Sequence, residues 1–145
     1  GPSQLALMLA AAADLAGFHA RGQWHGGAQV RNLTWNGQVF SRFDFEETLH
    51  PAMALETVQV YDALQLLMSL SPWLEQLGPQ AVEQVLQAYE NTRPHTGLRP
   101  FCAALAPRLQ RLLVWVDRTG WWSGARETRR LRVLMAGLQA FAAGA

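Results

Sequence analysis

A mainly α domain carrying one small β-hairpin is the fold class this sequence predicts, and three observations carry the prediction. Apolar residues recur at three- and four-residue spacing in successive segments that glycine and proline separate. One Asn36-Gly37 dipeptide lies between two alternating runs, Leu33-Thr34-Trp35 and Gln38 to Phe43. A two-residue type I′ turn needs positive φ at both central positions, which Asn and Gly tolerate best. Half of the 145 residues are apolar, enough for the core of one domain. The longest apolar run, Leu5 to Ala13, stops at Asp14, too short for a transmembrane helix.

The elements follow in order. Gly1-Pro2-Ser3 reads as the remnant of a cleaved tag, which leaves residues 4–145 as a single domain, with Ser3 placed to cap the first helix. Gln4 to Ala20 is that helix, with Leu5, Leu9, Ala12, Leu15, Ala16 and His19 in helical register, and Arg21-Gly22 ends it. The hairpin follows, with Asn32 and Asp44 at its two outer ends. A second helix is expected from about Met53 to Leu70, burying Leu55, Val58, Tyr61, Leu64, Leu67 and Met68, with Leu66 and Leu70 widening the face. Ser71-Pro72 breaks it, Gly78-Pro79 starts the next, and Gln80 to Asn91 is amphipathic. Thr92 to Pro100 is expected as a loop. Phe101 to Val116 is helical, with Pro107 either starting it or kinking it. After a turn over Asp117 to Gly124, Ala125 to Ala143 is the last helix.

Charge and composition narrow the function. The net charge of +1 provides no strongly basic face for nucleic acid. All twelve basic residues are arginine, and no lysine occurs. A single cysteine, Cys102, excludes an internal disulfide and fits a reducing, cytoplasmic setting. His19, His50 and His95 share no spacing with cysteine or carboxylates that would build a zinc site. No nucleophile elbow and no phosphate-cradling P-loop is present.

Within residues 25–47, HGGAQVRNLTWNGQVFSRFDFEE, the Asn32 amide and the Asp44 carboxylate form an oxygen pair suited to a hard cation such as Mg²⁺. The run His25-Gly26-Gly27-Ala28-Gln29-Val30-Arg31-Asn32, then a hairpin, then Asp44-Phe45-Glu46, resembles the HGDxxxxN…DFE catalytic loop and metal motif of the bacterial protein-kinase-like fold. That variant is typical of lipopolysaccharide core sugar kinases, RIO-like kinases and aminoglycoside phosphotransferases. The preceding LAGFHARGQWHG is similar to the same families' Leu-x-x-x-His-x-x-Gly-x-x-His-Gly rhythm, with His19 as the first histidine. The resemblance implies a C-terminal lobe in which Asn32 and Asp44 hold Mg²⁺ weakly, His25 is structural, and Asp62 in VQVYDALQLL accepts hydrogen bonds from the catalytic-loop backbone.

Gly27 stands where these families carry the aspartate that orients the attacking hydroxyl, and glycine cannot accept a proton. The lysine and glycine-rich cover that an N-terminal lobe supplies have no counterpart here, so ATP and Mg²⁺ are expected only if such a lobe is provided. Two functional classes follow. One is a degenerate kinase-like domain, binding or regulatory and linked to lipopolysaccharide or cell-envelope processes. The other is a C-lobe fragment of an active sugar, lipopolysaccharide or serine/threonine kinase. Either would leave an uncovered face open to self-association or a protein partner. Arg126, Arg129, Arg130 and Arg132, with Trp115, Trp121 and Trp122, form either a contact for anionic lipid or glycolipid at the inner membrane or a solvated helix face beside buried aromatics.

Overall fold

The computed structural model describes residues 3–24, 33–35, 37, 40–42, 54–94, 97–120 and 124–144. Within them the protein is mainly helical: α1 (Gln4–Ala20), β1 (Leu33–Trp35), β2 (Phe40–Arg42), α2 (Leu55–Ser69), α3 (Ser71–Leu77), α4 (Pro79–Thr92), α5 (Leu98–Thr119) and α6 (Arg126–Ala143). None of these helices is long and apolar enough to cross a membrane. Contacts group the chain into two compact units. The first comprises Gly1–Leu70 with Val85–Gly97, the second Ser71–Gln84 with Leu98–Ala145.

In the first unit, Ser3 caps α1 as its sequence position suggests, the side chain accepting from the Ala6 N–H at 3.1 Å. Gly22, at φ 77°, takes up the left-handed turn that ends the helix. Met8, Ala11, Ala12, Leu15, Ala16 and His19 form the buried stripe of α1 and meet the buried side of α2. That side differs from the one expected. Val58, Gln59, Val60, Asp62, Ala63, Leu66 and Leu67 are buried, whereas Tyr61 is 48% and Met68 65% exposed, and Leu55 is exposed too. The helix presents Gln59, Asp62, Leu66 and Leu70 inward because the two polar groups find hydrogen-bond partners there. A hydrophobicity pattern cannot register such partners.

The two-residue hairpin expected at Asn36-Gly37 is not seen. β1 and β2 pair antiparallel with Leu33 opposite Arg42, Thr34 opposite Ser41 and Trp35 opposite Phe40. The innermost pair therefore encloses four residues, 36 to 39. Moving the pairing by two positions keeps every side chain on its original face, so alternation alone does not distinguish the two registers. Gly37 does adopt the positive φ, 97°, that its place in the connection calls for.

In the second unit, α3 occupies the stretch after Ser71-Pro72 where the sequence suggests only a break. Gly78, at φ 93°, closes it by donating its N–H to the Leu74 carbonyl at 2.8 Å, and Pro79 opens α4 at the position where a missing N–H costs least. α5 starts at Leu98, inside the segment expected as a loop, and runs unbroken through Pro107. Proline removes the hydrogen bond to the residue four back. Ala103 is exposed, so water can reach the carbonyl that loses its partner. α5 and α6 pack antiparallel, Arg99 reaching the Phe141 carbonyl at one end and Asp117 pairing with Arg132 at the other. Leu98, Cys102, Ala106, Leu113 and Val116 of α5, and Leu134, Leu138 and Phe141 of α6, supply this unit's core with Leu74, Ala81 and Val82.

Candidate functional site

The first unit holds a buried polar network built from three helices. The stripe Met8, Ala12, Leu15 advances by four and three residues, and four more bring His19 to the last turn of α1, fully enclosed. α2 contributes Gln59 and Asp62, one turn apart on its inward face, and α4 contributes Tyr89. His19 Nε2 lies 2.9 Å from Asp62 Oδ2, and His19 Nδ1 lies 2.6 Å from the Tyr89 hydroxyl. The Tyr89 and His19 rings meet edge to face, with centroids 5.6 Å apart. His19 and Asp62 are 0% and 1% exposed.

The pattern is satisfied by a neutral imidazole protonated on Nε2, which donates to Asp62 while the Tyr89 O–H donates to Nδ1. Burial holds the Tyr89 phenol well above its ordinary range. Arg93 opposes that shift and the Asp62 charge reinforces it. Tyr89 therefore stays protonated and available as a donor.

Gln59 links the network to the backbone. Its Nε2 donates to the His19 carbonyl at 2.9 Å and to the Gln23 carbonyl at 3.0 Å. One amide thus bridges the Arg21-Gly22 turn and holds the chain where it leaves α1, two residues before His25. The Gln59 carbonyl oxygen accepts from Arg93 Nε at 3.0 Å and from Nη2 at 2.7 Å, so the amide cannot flip without losing four contacts. The arrangement fixes the backbone between His19 and Gln23. Its histidine, carboxyl and phenol are all enclosed and offer no open face to a substrate.

Of the residues singled out by sequence, Asp62 lies in this network, enclosed among apolar neighbours. His19, which the sequence places both in the helical register of α1 and in the LAGFHARGQWHG rhythm, is its partner. His25, Gly27, Asn32 and Asp44 lie outside the described residues. Among the described residues no group of three or more His, Cys, Asp or Glu side chains gathers as a metal site. Gln59, Tyr89 and Arg93 were not legible as site residues. Their signal is a polar residue recurring in an apolar helical register: Gln59 three before Asp62, and Tyr89 three after the buried Leu86.

Three of the four arginines of the α6 cluster pair within their own unit. Arg129 and Arg130 both reach Glu75 of α3, at 3.3 and 3.2 Å, and Arg129 Nη1 also donates to the Gly124 carbonyl at 2.6 Å. Arg132 pairs with Asp117 and holds that carboxyl below its usual range. Arg126 is exposed at the start of α6. Trp121 and Trp122 lie outside the described residues. No protein-family model, no curated protein and no solved structure matches this chain.

Proposed function

We propose that this chain is a degenerate relative of the kinase-like phosphotransferases, a C-terminal-lobe-like domain that binds or regulates and does not transfer phosphate. The observation that carries the reading is the enclosed His19–Asp62 pair, with Gln59 holding the His19 and Gln23 carbonyls, directly before the HGGAQVRN run. Burying a carboxyl and an imidazole costs several kcal/mol unless both are hydrogen-bonded. Spending that cost at the root of one loop makes sense where the loop's geometry matters. In the resembling families an aspartate of the corresponding helix supports the catalytic loop, and Asp62 stands at the matching position.

Gly27 carries the other half of the reading. A loop of this pattern without its hydroxyl-orienting carboxylate can keep recognition while losing the chemistry. Asn32 and Asp44 would hold Mg²⁺ only feebly, since this ion dehydrates reluctantly and draws its remaining ligands from nucleotide phosphates. The partner is a protein or a second copy, in a cytoplasmic role linked to the cell envelope.

Two measurements test this together. With labelled ATP and Mg²⁺ the chain should transfer no phosphate above a blank, and thermal-shift titration should give at best millimolar Mg²⁺ affinity. Turnover that disappears in Asp44→Ala, or micromolar Mg²⁺ binding lost in the same variant, overturns the degenerate reading.

A further inference from the structure

Charge is distributed unevenly along this chain. The second unit holds eight arginines against four acids, a net +4, while the first holds four arginines against seven acids, a net −3. The whole-chain value of +1 conceals this. Within the second unit the α6 arginines Arg129, Arg130 and Arg132 are engaged with Glu75 and Asp117, so they contribute little to an outward field. α5 differs. It carries Arg108, Arg111 and Arg118 on exposed positions, and its single acid, Asp117, is the one paired with Arg132.

The same exposed side of α5 is apolar between its arginines. Phe101, Leu112 and Trp115 lie in one helical register with Arg108, at steps of seven, four and three residues. Leu112 is 46% and Trp115 48% exposed, and Phe101 and Val114 are exposed as well. Beside them Arg111, Val114, Trp115 and Arg118 rim a shallow open hollow of about 540 Å³, lined entirely by α5. Soluble helices normally place such side chains against a neighbour, and contiguous exposed apolar surface marks an interaction site.

We propose that the α5 face is a docking surface for an anionic lipid bilayer, lying flat in the headgroup region with Phe101, Leu112 and Trp115 inserted and Arg108, Arg111 and Arg118 on lipid phosphates. Three features select a bilayer over other anionic partners. The face is the outward side of a single helix about 33 Å long, a shape that suits a plane better than it seats a peptide, which prefers a groove between elements. Its apolar members include leucine and valine, which gain nothing from a nucleic-acid backbone but gain by entering an acyl boundary. Its cations are all arginine, whose planar fork pairs with phosphate in a bidentate way while the methylene stem stays on apolar surface. The inference does not depend on the kinase-like reading, since it uses neither residues 25–47 nor the His19 network.

The test is co-sedimentation of the full chain with vesicles of pure phosphatidylcholine and of phosphatidylcholine with one third phosphatidylglycerol. The expected result is binding to the anionic vesicles at least tenfold above the neutral ones, falling steeply between 50 and 300 mM salt. Arg108→Glu with Arg111→Glu should abolish it. Leu112→Ser with Trp115→Ser should weaken it at least fivefold at every salt concentration. All four positions are exposed, so the thermal midpoint should stay within about 2 °C of wild type and serve as the folding control. Equal binding to neutral vesicles, or binding unchanged by the arginine pair, overturns the proposal. So does retention by a single-stranded RNA or an acidic peptide that exceeds vesicle binding and survives Leu112→Ser with Trp115→Ser.

Discussion

Asp62 and His19 are close and enclosed, so removing either takes a hydrogen-bond partner from the other. Asp62→Ala takes away the acceptor that Asp62 supplies to the neutral His19 Nε2–H in a site water does not reach, and leaving a buried donor unsatisfied costs about 1–3 kcal/mol. Asp62→Asn keeps an oxygen at the same place and should cost nearer 1 kcal/mol. Urea unfolding of the two variants, at a constant slope, checks the order; equal losses would mean that the acceptor atom is unimportant. Tyr89 supports a pH prediction. Its folded phenol keeps its proton where the unfolded one, with its ordinary value of 10.0, has lost it. Above that pH the folded state binds more protons than the unfolded state, so stability is intact below pH 10 and declines as pH rises beyond it. With no lysine in the chain, few other groups titrate in that window. Tyr89→Phe should be about 1 kcal/mol less stable at pH 7 and show a shallower decline from pH 10 to 11.5 in thermal midpoints.

At the level of elements, a close approach between α6 and the start of α4 depends on an absent side chain. A Cβ on Gly137 of α6 would lie 2.3 Å from Val82 Cβ and 3.0 Å from the Pro79 carbonyl at the start of α4. Alanine is the better helix former by about 1 kcal/mol, but an overlap of this depth forces the helices apart. Gly137→Ala should therefore destabilise by about 1–3 kcal/mol, and Val82→Ala in the same chain should recover part of the loss. Guanidinium unfolding of the double-mutant cycle measures it, and a Gly137→Ala variant more stable than wild type would show that the contact relaxes freely. Arg99 fastens the C-terminal end of α6, one turn beyond Gly137. It donates to the Phe141 carbonyl and lies 4.1 Å above the Phe141 ring, placing a cation at the helix terminus that favours one.

For the whole molecule, the opposed charges of the two units predict behaviour that the net value does not. On a sulfonate resin at pH 7.5 the chain should be retained more strongly than its +1 suggests, because the second unit presents +4 to the matrix. Arg118→Glu and Arg21→Glu change the net charge equally. The first should shorten retention markedly and the second little, whereas equal shifts would show that the matrix reads only the total. Salt near 0.3 M should erase the difference, as expected for surface charge screened within a few ångströms.

The helices of this protein are legible in its sequence because their signals are local. Ser3 before α1, Gly22 after it, and the Gly78-Pro79 junction act through backbone preference and capping within one turn, and α1 runs over the residues its pattern marks. The motif residues His25, Gly27, Asn32 and Asp44 are likewise legible as spacing, since a motif is a property of the chain. Which side of α2 faces inward is a different kind of fact. Tyr61 and Met68 are the more hydrophobic choice, yet Gln59 and Asp62 are enclosed, because His19 on α1 and Arg93 after α4 supply the hydrogen bonds that make their burial tolerable. Those partners are 34 to 43 residues away in sequence. The strand register shows the same limit, since alternation fixes a face and leaves a two-residue shift undecided. Local chemistry determined where the elements of this protein begin and end, and tertiary structure alone decided which of their faces are enclosed, because burial of a polar group depends on a partner that only the fold brings within reach.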